Sequence, residues 1–168
     1  MNFFEEIRKT SLLTIASLLV THNAFSFELT VSITDGGVVT INSHNKIINI
    51  KTNTFITGYS VNCSASKFIA WGHPKILNKN NPQDSTLILF DIKNNQTIGK
   101  KSLSKGIFGI EFLASSNNVY IDSDPGSIVN TNTGDIVTTE PDYYLQNNEL
   151  FEKCTKDESW EFNRYPQE

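Results

Sequence analysis

Apolar and polar positions alternate along most of this chain in runs too short for helices. From Glu28 to Ile33 the residues Leu29, Val31 and Ile33 fall on one face, which predicts a half-buried strand. Asp35-Gly36-Gly37 is a turn signal. Val38–Asn42 and Lys46–Ile50 follow as strands joined at Ser43-His44-Asn45, and a further strand begins at Phe55. Four apolar runs come next: Tyr59–Cys63, Lys67–Trp71, Thr86–Ile92 and Thr97–Leu103, each with the length and residue types of a strand. The same pattern marks Ile107–Phe112, Asn118–Ile121, Ser127–Asn130 and Asp135–Thr139.

A strand–turn–strand phrase recurs. Ile50 to Ile56, Ile92 to Ile98 and Asn130 to Ile136 each carry a polar Thr/Asn-rich turn between two strands, at a spacing near 40 residues. That period predicts an all-β fold of about three antiparallel, propeller-like blades over 27–140, with boundaries at Phe27–Thr57, Gly58–Ser104 and Lys105–Glu140. Three blades are fewer than the roughly four to eight that close a ring, so an open, incomplete propeller or a sandwich of the same sheets is expected. The tail, 141–168, holds Tyr143, Tyr144, Leu150, Phe151, Trp160 and Phe162 and is expected to cover exposed apolar surface, part of Asp142–Lys156 being helical.

One connection is longer than a hairpin needs. His73–Thr86 is polar, contains Pro74 and Pro82, and carries the apolar pair Ile76-Leu77. Hairpin loops usually run about two to five residues, and longer loops in compact domains are often functional. The segment is either a binding loop or an insertion without a role.

The N-terminal 26 residues resemble a removable export signal. Arg8 and Lys9 precede the apolar run Leu12–Val20, and Ala24-Phe25-Ser26 offers small residues where a signal peptidase reads. The alternative, a membrane anchor, would need roughly 20 apolar residues. Export predicts a periplasmic location and an oxidising compartment. The two cysteines, Cys63 and Cys154, then favour one disulfide, with two buried thiols as the alternative. Closing so long a loop is credited with about 4–5 kcal/mol in the chain-entropy model.

The formal charge of −4 forms no basic stripe, so nucleic acid is not an expected partner. Apart from the signal, His44 and His73 are the histidines, and neither has metal-ligand spacing to another His or Cys. No nucleophile elbow or phosphate loop is present, and no enzyme, cofactor or metal is expected. Asp122-Ser123-Asp124-Pro125-Gly126 has the outline of a calcium loop but lacks the downstream Glu, and a Pro-Gly turn is the simpler reading. Trp71 and Trp160 could stack on sugars or pack in the core and tail. Asp91 is a turn former ahead of Lys93-Asn94-Asn95.

The stretch from Tyr59 to Ile121, through SASKFIAWG and STLILFDIKNNQTIGKKSL, resembles the periplasmic immunity proteins that block type VI secretion peptidoglycan amidases. In that family a protruding loop of a half-built propeller enters the amidase cleft. Ser85-Thr86 stands where the family has a hydroxyl pair, and Phe90-Asp91 where it has Tyr-Asp; the loop here is longer and holds Pro82. The resemblance implies a non-enzymatic toxin inhibitor, with Ser85 and Thr86 at the tip or root of the inhibitory loop. The residues expected to meet the toxin are His73, Lys75, Ile76, Leu77, Asn78, Lys79, Asp84, Ser85 and Thr86. A second expectation is an envelope binding or scaffold module that uses blade edges.

Overall fold

The computed structural model describes residues 29–34, 37–43, 46–154 and 158–160. The expected export signal, Asp35, Gly36 and His44 lie outside the described residues, as does Phe162.

The fold is all-β, in three antiparallel sheets. The first contains β1 (Leu29–Ile33), β2 (Val38–Ser43) and β3 (Lys46–Lys51), in that order. The central sheet contains β4 (Thr54–Val61), β5 (Lys67–Pro74), β6 (Ser85–Asp91) and β7 (Gln96–Leu103). The third contains β8 (Gly109–Phe112), β9 (Asn118–Asp122), β10 (Ser127–Asn130) and β11 (Ile136–Thr138). The tail forms a short helix, α1 (Tyr143–Gln146), a 3-10 turn over Asn148–Leu150, and β12 (Glu158–Trp160), which adds to the central sheet beside β4.

The apolar runs of β5 and β6 are continuous because the central sheet is buried on both faces. Successive side chains point to opposite faces. Phe68, Ala70, Ile88 and Phe90 therefore join Val39, Ile41, Ile48 and Ile50 of the first sheet in one core. Ile69, Trp71, Leu87 and Leu89 join Ile110, Phe112, Val119, Ile121 and Val129 of the third sheet in a second core. Burying an aliphatic or phenyl side chain of this size contributes about 1.5–3 kcal/mol, so both cores converge on β5 and β6. Trp71 is core, 3 % exposed. The outer face of the first sheet is mainly polar: Thr30, Ser32, Asn42 and Asn49 are exposed beside Ile47, and the Thr40 hydroxyl donates to Asn49 Oδ1 at 2.8 Å.

Two boundaries differ from the sequence expectation. The runs beginning at Phe55 and Tyr59 are one strand, β4, whose register shifts between Ile56 and Gly58 as it pairs with β5. The first sheet thus ends at Lys51, not at Thr57. The recurring turn is the cause of the error. At Ile92 and Asn130 it joins the last two strands of a sheet, but at Lys51–Thr54 it leads from β3 of one sheet to β4 of the next. Asn53 and Asn95 both adopt a left-handed φ, at 53° and 52°. Local turn chemistry is the same whichever sheet receives the following strand.

The tail straps two sheet edges. Phe151 bridges Leu113, Ala114 N–H donates to Leu150 O at 2.7 Å, and Glu152 N–H donates to Phe112 O at 2.8 Å, so the tail lies beside the end of β8. The disulfide Cys63–Cys154 follows, with Cα atoms 5.9 Å apart. β12 then covers Gly58–Ser60 of β4. Covering edges in this way removes unpaired backbone groups that would otherwise recruit other chains.

Candidate functional site

The long connection is shorter than its sequence implies. β5 continues through His73 and Pro74, which pair with Phe55 and Thr54, and β6 begins at Ser85 opposite Leu103. Proline is tolerated at the end of a strand, where its missing N–H interrupts no ladder. The loop proper is therefore 75–84.

This loop is braced from within. Asp84 accepts both Asn78 Nδ2 at 2.9 Å and Asn81 Nδ2 at 2.6 Å, one on each carboxylate oxygen. Asn81 Nδ2 also reaches Ser104 O at 3.2 Å, tying the loop to the segment after β7. Backbone turns close from Asn81 N–H to Asn78 O and from Asp84 N–H to Asn81 O, at 3.0 and 3.1 Å. Asn80 N–H donates to Asn78 Oδ1, and His73 Nδ1 lies 3.1 Å from Asp84 O. Hydrogen bonds from neutral amides to a carboxylate are charge-assisted and outlast ordinary loop contacts.

The sequence-predicted contact residues separate into three groups. Lys75, Ile76 and Lys79 are exposed, Ile76 at 88 %, and Leu77 is half-buried. Asn78 and Asp84 are braces whose polar atoms point into the loop. His73, Ser85 and Thr86 are strand residues, 9 %, 3 % and 4 % exposed. The Ser85 hydroxyl donates to Lys105 O at 2.6 Å. Ser85 and Thr86 are therefore at the loop's root, not its tip, because backbone pairing with Leu103 and Ser102 draws them into the sheet. Asn81, which holds the bracing together, escaped the sequence reading. Its signal was the spacing of three in Asn78–Asn81–Asp84, which suits successive turns. Beneath the loop an open cleft of about 290 Å³ is lined by Pro74, Asp84, Ser85, Thr86, Ser102, Leu103 and Ser104.

The opposite end of the central sheet carries a second cleft, of about 280 Å³, between the turn after β4 and the turn after β8. Its polar groups serve the fold. Asn62 Oδ1 accepts Ser66 N–H and Lys67 N–H at 2.9 and 2.8 Å, and Glu152 Oε2 accepts Cys63 N–H at 2.7 Å. Lys67 Nζ sits 2.9 Å from both Asp91 Oδ2 and Asn132 Oδ1, linking the central and third sheets. Asp91 also accepts Asn94 N–H at 2.8 Å, as a turn former should. Burial pushes the Asp91 carboxyl up, but the Lys67 ammonium and the Asn94 donors outweigh it and hold it below the usual carboxylate range. A lowered folded pKa adds stability that is complete above the unfolded value, near 4, and is lost as pH falls through the folded value. Between pH 5 and pH 2.5 the melting temperature of the wild-type protein should therefore fall more than that of Asp91→Asn; parallel curves would remove Asp91 from the acid response.

Asp122 and Asp124 flank a turn with a cis Asp124–Pro125 bond, where Ser123 Oγ donates to Pro125 O at 2.9 Å and Lys105 Nζ donates to the same oxygen. Among the described residues, three potential metal-ligating groups converge at Cys63, Glu152 and Cys154, and the two sulfurs there are joined to each other. No described helix is long and apolar enough to cross a membrane. Comparison with protein-family models and with curated proteins finds no match to this chain.

Proposed function

We propose that this protein is an exported, non-enzymatic inhibitor that occludes a periplasm-acting toxin, with loop 75–84 as the element that enters the toxin's cleft. The observation that carries this reading is Ile76, an aliphatic side chain 88 % exposed on a loop whose neighbouring polar groups are already engaged with one another. A braced loop loses little entropy on docking, so an exposed apolar residue on it makes an efficient anchor. In this reading the three stacked sheets are blades of an open propeller, the export signal is removed near Ser26, and the disulfide closes in the periplasm. The resemblance to amidase immunity proteins supplies the toxin class, a peptidoglycan amidase. Ser85 and Thr86 hold the loop's root, and Lys75, Ile76 and Lys79 make the contact.

Periplasmic co-production with each periplasm-acting effector of the source bacterium tests the proposal. Survival is expected with an amidase and not with effectors of other chemistry. Lysis in the presence of every amidase would overturn it.

A further inference from the structure

The three-sheet stack has two ends, and they are finished differently. A stack of sheets needs a polar outer surface at each end. The first sheet provides a mainly polar one with Thr30, Ser32, Asn42 and Asn49, interrupted by Ile47, 68 % exposed. On the third sheet, Glu111, Tyr120, Ile128 and Val137 form one row across the outer face, each paired with the next. The tail lies over this row: the Tyr120 ring is 5.7 Å from those of Tyr143 and Tyr144 and 6.0 Å from that of Phe151. Yet the cap is itself apolar outside. Leu145 is 76 % exposed, Leu150 44 %, Tyr144 42 % and Val137 67 %.

Charge sorts along the same axis. Between Lys46 and Lys105 the chain holds nine lysines against two aspartates. Between Gly106 and Glu152 it holds eight carboxylates and no lysine, arginine or histidine. Three of these, Glu140, Asp142 and Glu149, are exposed on the capping segment beside the apolar residues. Among the described residues none of the three pairs with a cation.

We infer that this capping face is a docking surface for a cationic protein element, whose lysines or arginines meet Glu140, Asp142 and Glu149 while its apolar side chains cover Tyr144, Leu145 and Leu150. Exposed apolar patches rimmed by charge mark interaction sites, and the rim selects the partner by sign. The carboxylates repel nucleic acid and anionic lipid. The inference is independent of loop 75–84.

The probe is an amphipathic leucine–lysine peptide, titrated into the isotope-labelled protein by NMR, with a leucine–glutamate peptide of the same pattern as control. Shifts should concentrate between Val137 and Glu152 with the lysine peptide and be absent with the control. The triple substitution Glu140→Gln, Asp142→Asn, Glu149→Gln should weaken binding at least about tenfold, and Leu145→Ala should weaken it also. All four sites are exposed, so these variants should melt as the wild type does. Shifts spread evenly over carboxylates elsewhere, or undiminished binding in the triple variant, would overturn the inference. Salt-sensitive self-association that occupies the face without peptide would assign it to a second copy and overturn it equally.

Discussion

Alanine at position 72 should cost the protein more than about 4 kcal/mol, a size reserved for a few mechanisms. Gly72 lies within β5, opposite Ile56 on one side and Thr86 on the other. β4 shifts register next to Ile56, and an extra residue at that point bends the strand toward its partner. A Cβ on residue 72 would fall on the Phe55 carbonyl oxygen and lie 2.8 Å from Ile56 Cα. These are backbone atoms, so no rotamer change relieves the overlap. β4 and β5 would have to separate, and β4 lines the first core while β5 lines both. The control is Gly99→Ala in β7, whose Cβ would meet only Lys101 Cε at 3.9 Å. Urea unfolding should place Gly99→Ala within about 1 kcal/mol of the wild type while Gly72→Ala yields little folded protein. A Gly72→Ala variant of near-native stability would contradict the close approach of β4 and β5.

Removing the disulfide by Cys63→Ser with Cys154→Ser should lower stability by about 2–5 kcal/mol. Both cysteines are exposed, so serine buries no new polar group and the effect isolates the cross-link. The loss has a location. The strap is held by the Phe151 bridge, the Glu152 contacts and three β12 pairings, each modest without the covalent tie. Amide exchange should accelerate first at Gly58–Ser60, where β12 covers the β4 edge, while the Phe68–Phe90 and Ile69–Leu89 pairs of β5 and β6 stay protected. Urea titrations with and without reductant measure the first effect. A change under about 1 kcal/mol would mean that the tail docks without its clasp.

Strands were readable from the sequence because their patterns are local. LTVSI alternates and forms β1; KFIAW and STLILF do not, and they are the strands buried on both faces. Cys63 and Cys154 could be paired because two cysteines allow one pairing and the N-terminal residues read as an export signal. Sheet membership was not local. Lys51–Thr54 looks like the turn at Ile92, and only the pairing of Thr54–Val61 with β5 shows that the chain has changed sheets. β12 was invisible, since a short run of Glu-Ser-Trp carries no periodicity and is a strand through its pairing with Gly58–Ser60 of β4. At the candidate site, the loop's position was legible in its prolines and polar run. Its extent was not: His73, Pro74 and Ser85 have loop-like composition and are strand by virtue of their partners. The same polar run that suggests a slack insertion is, through Asn78, Asn81 and Asp84, what stiffens it.

We propose Ile76, on this braced loop, as the anchor of an inhibitory contact. The direct measurement is survival of cells co-producing the protein and the periplasmic amidase it is proposed to block, with the wild-type chain and with Ile76→Asp. A single exposed substitution should leave the melting temperature unchanged, while loss of an anchor weakens binding by about 2 kcal/mol or more, roughly 30-fold. Ile76→Asp is expected to accumulate normally and fail to protect. Full protection by a normally accumulating Ile76→Asp variant would contradict it.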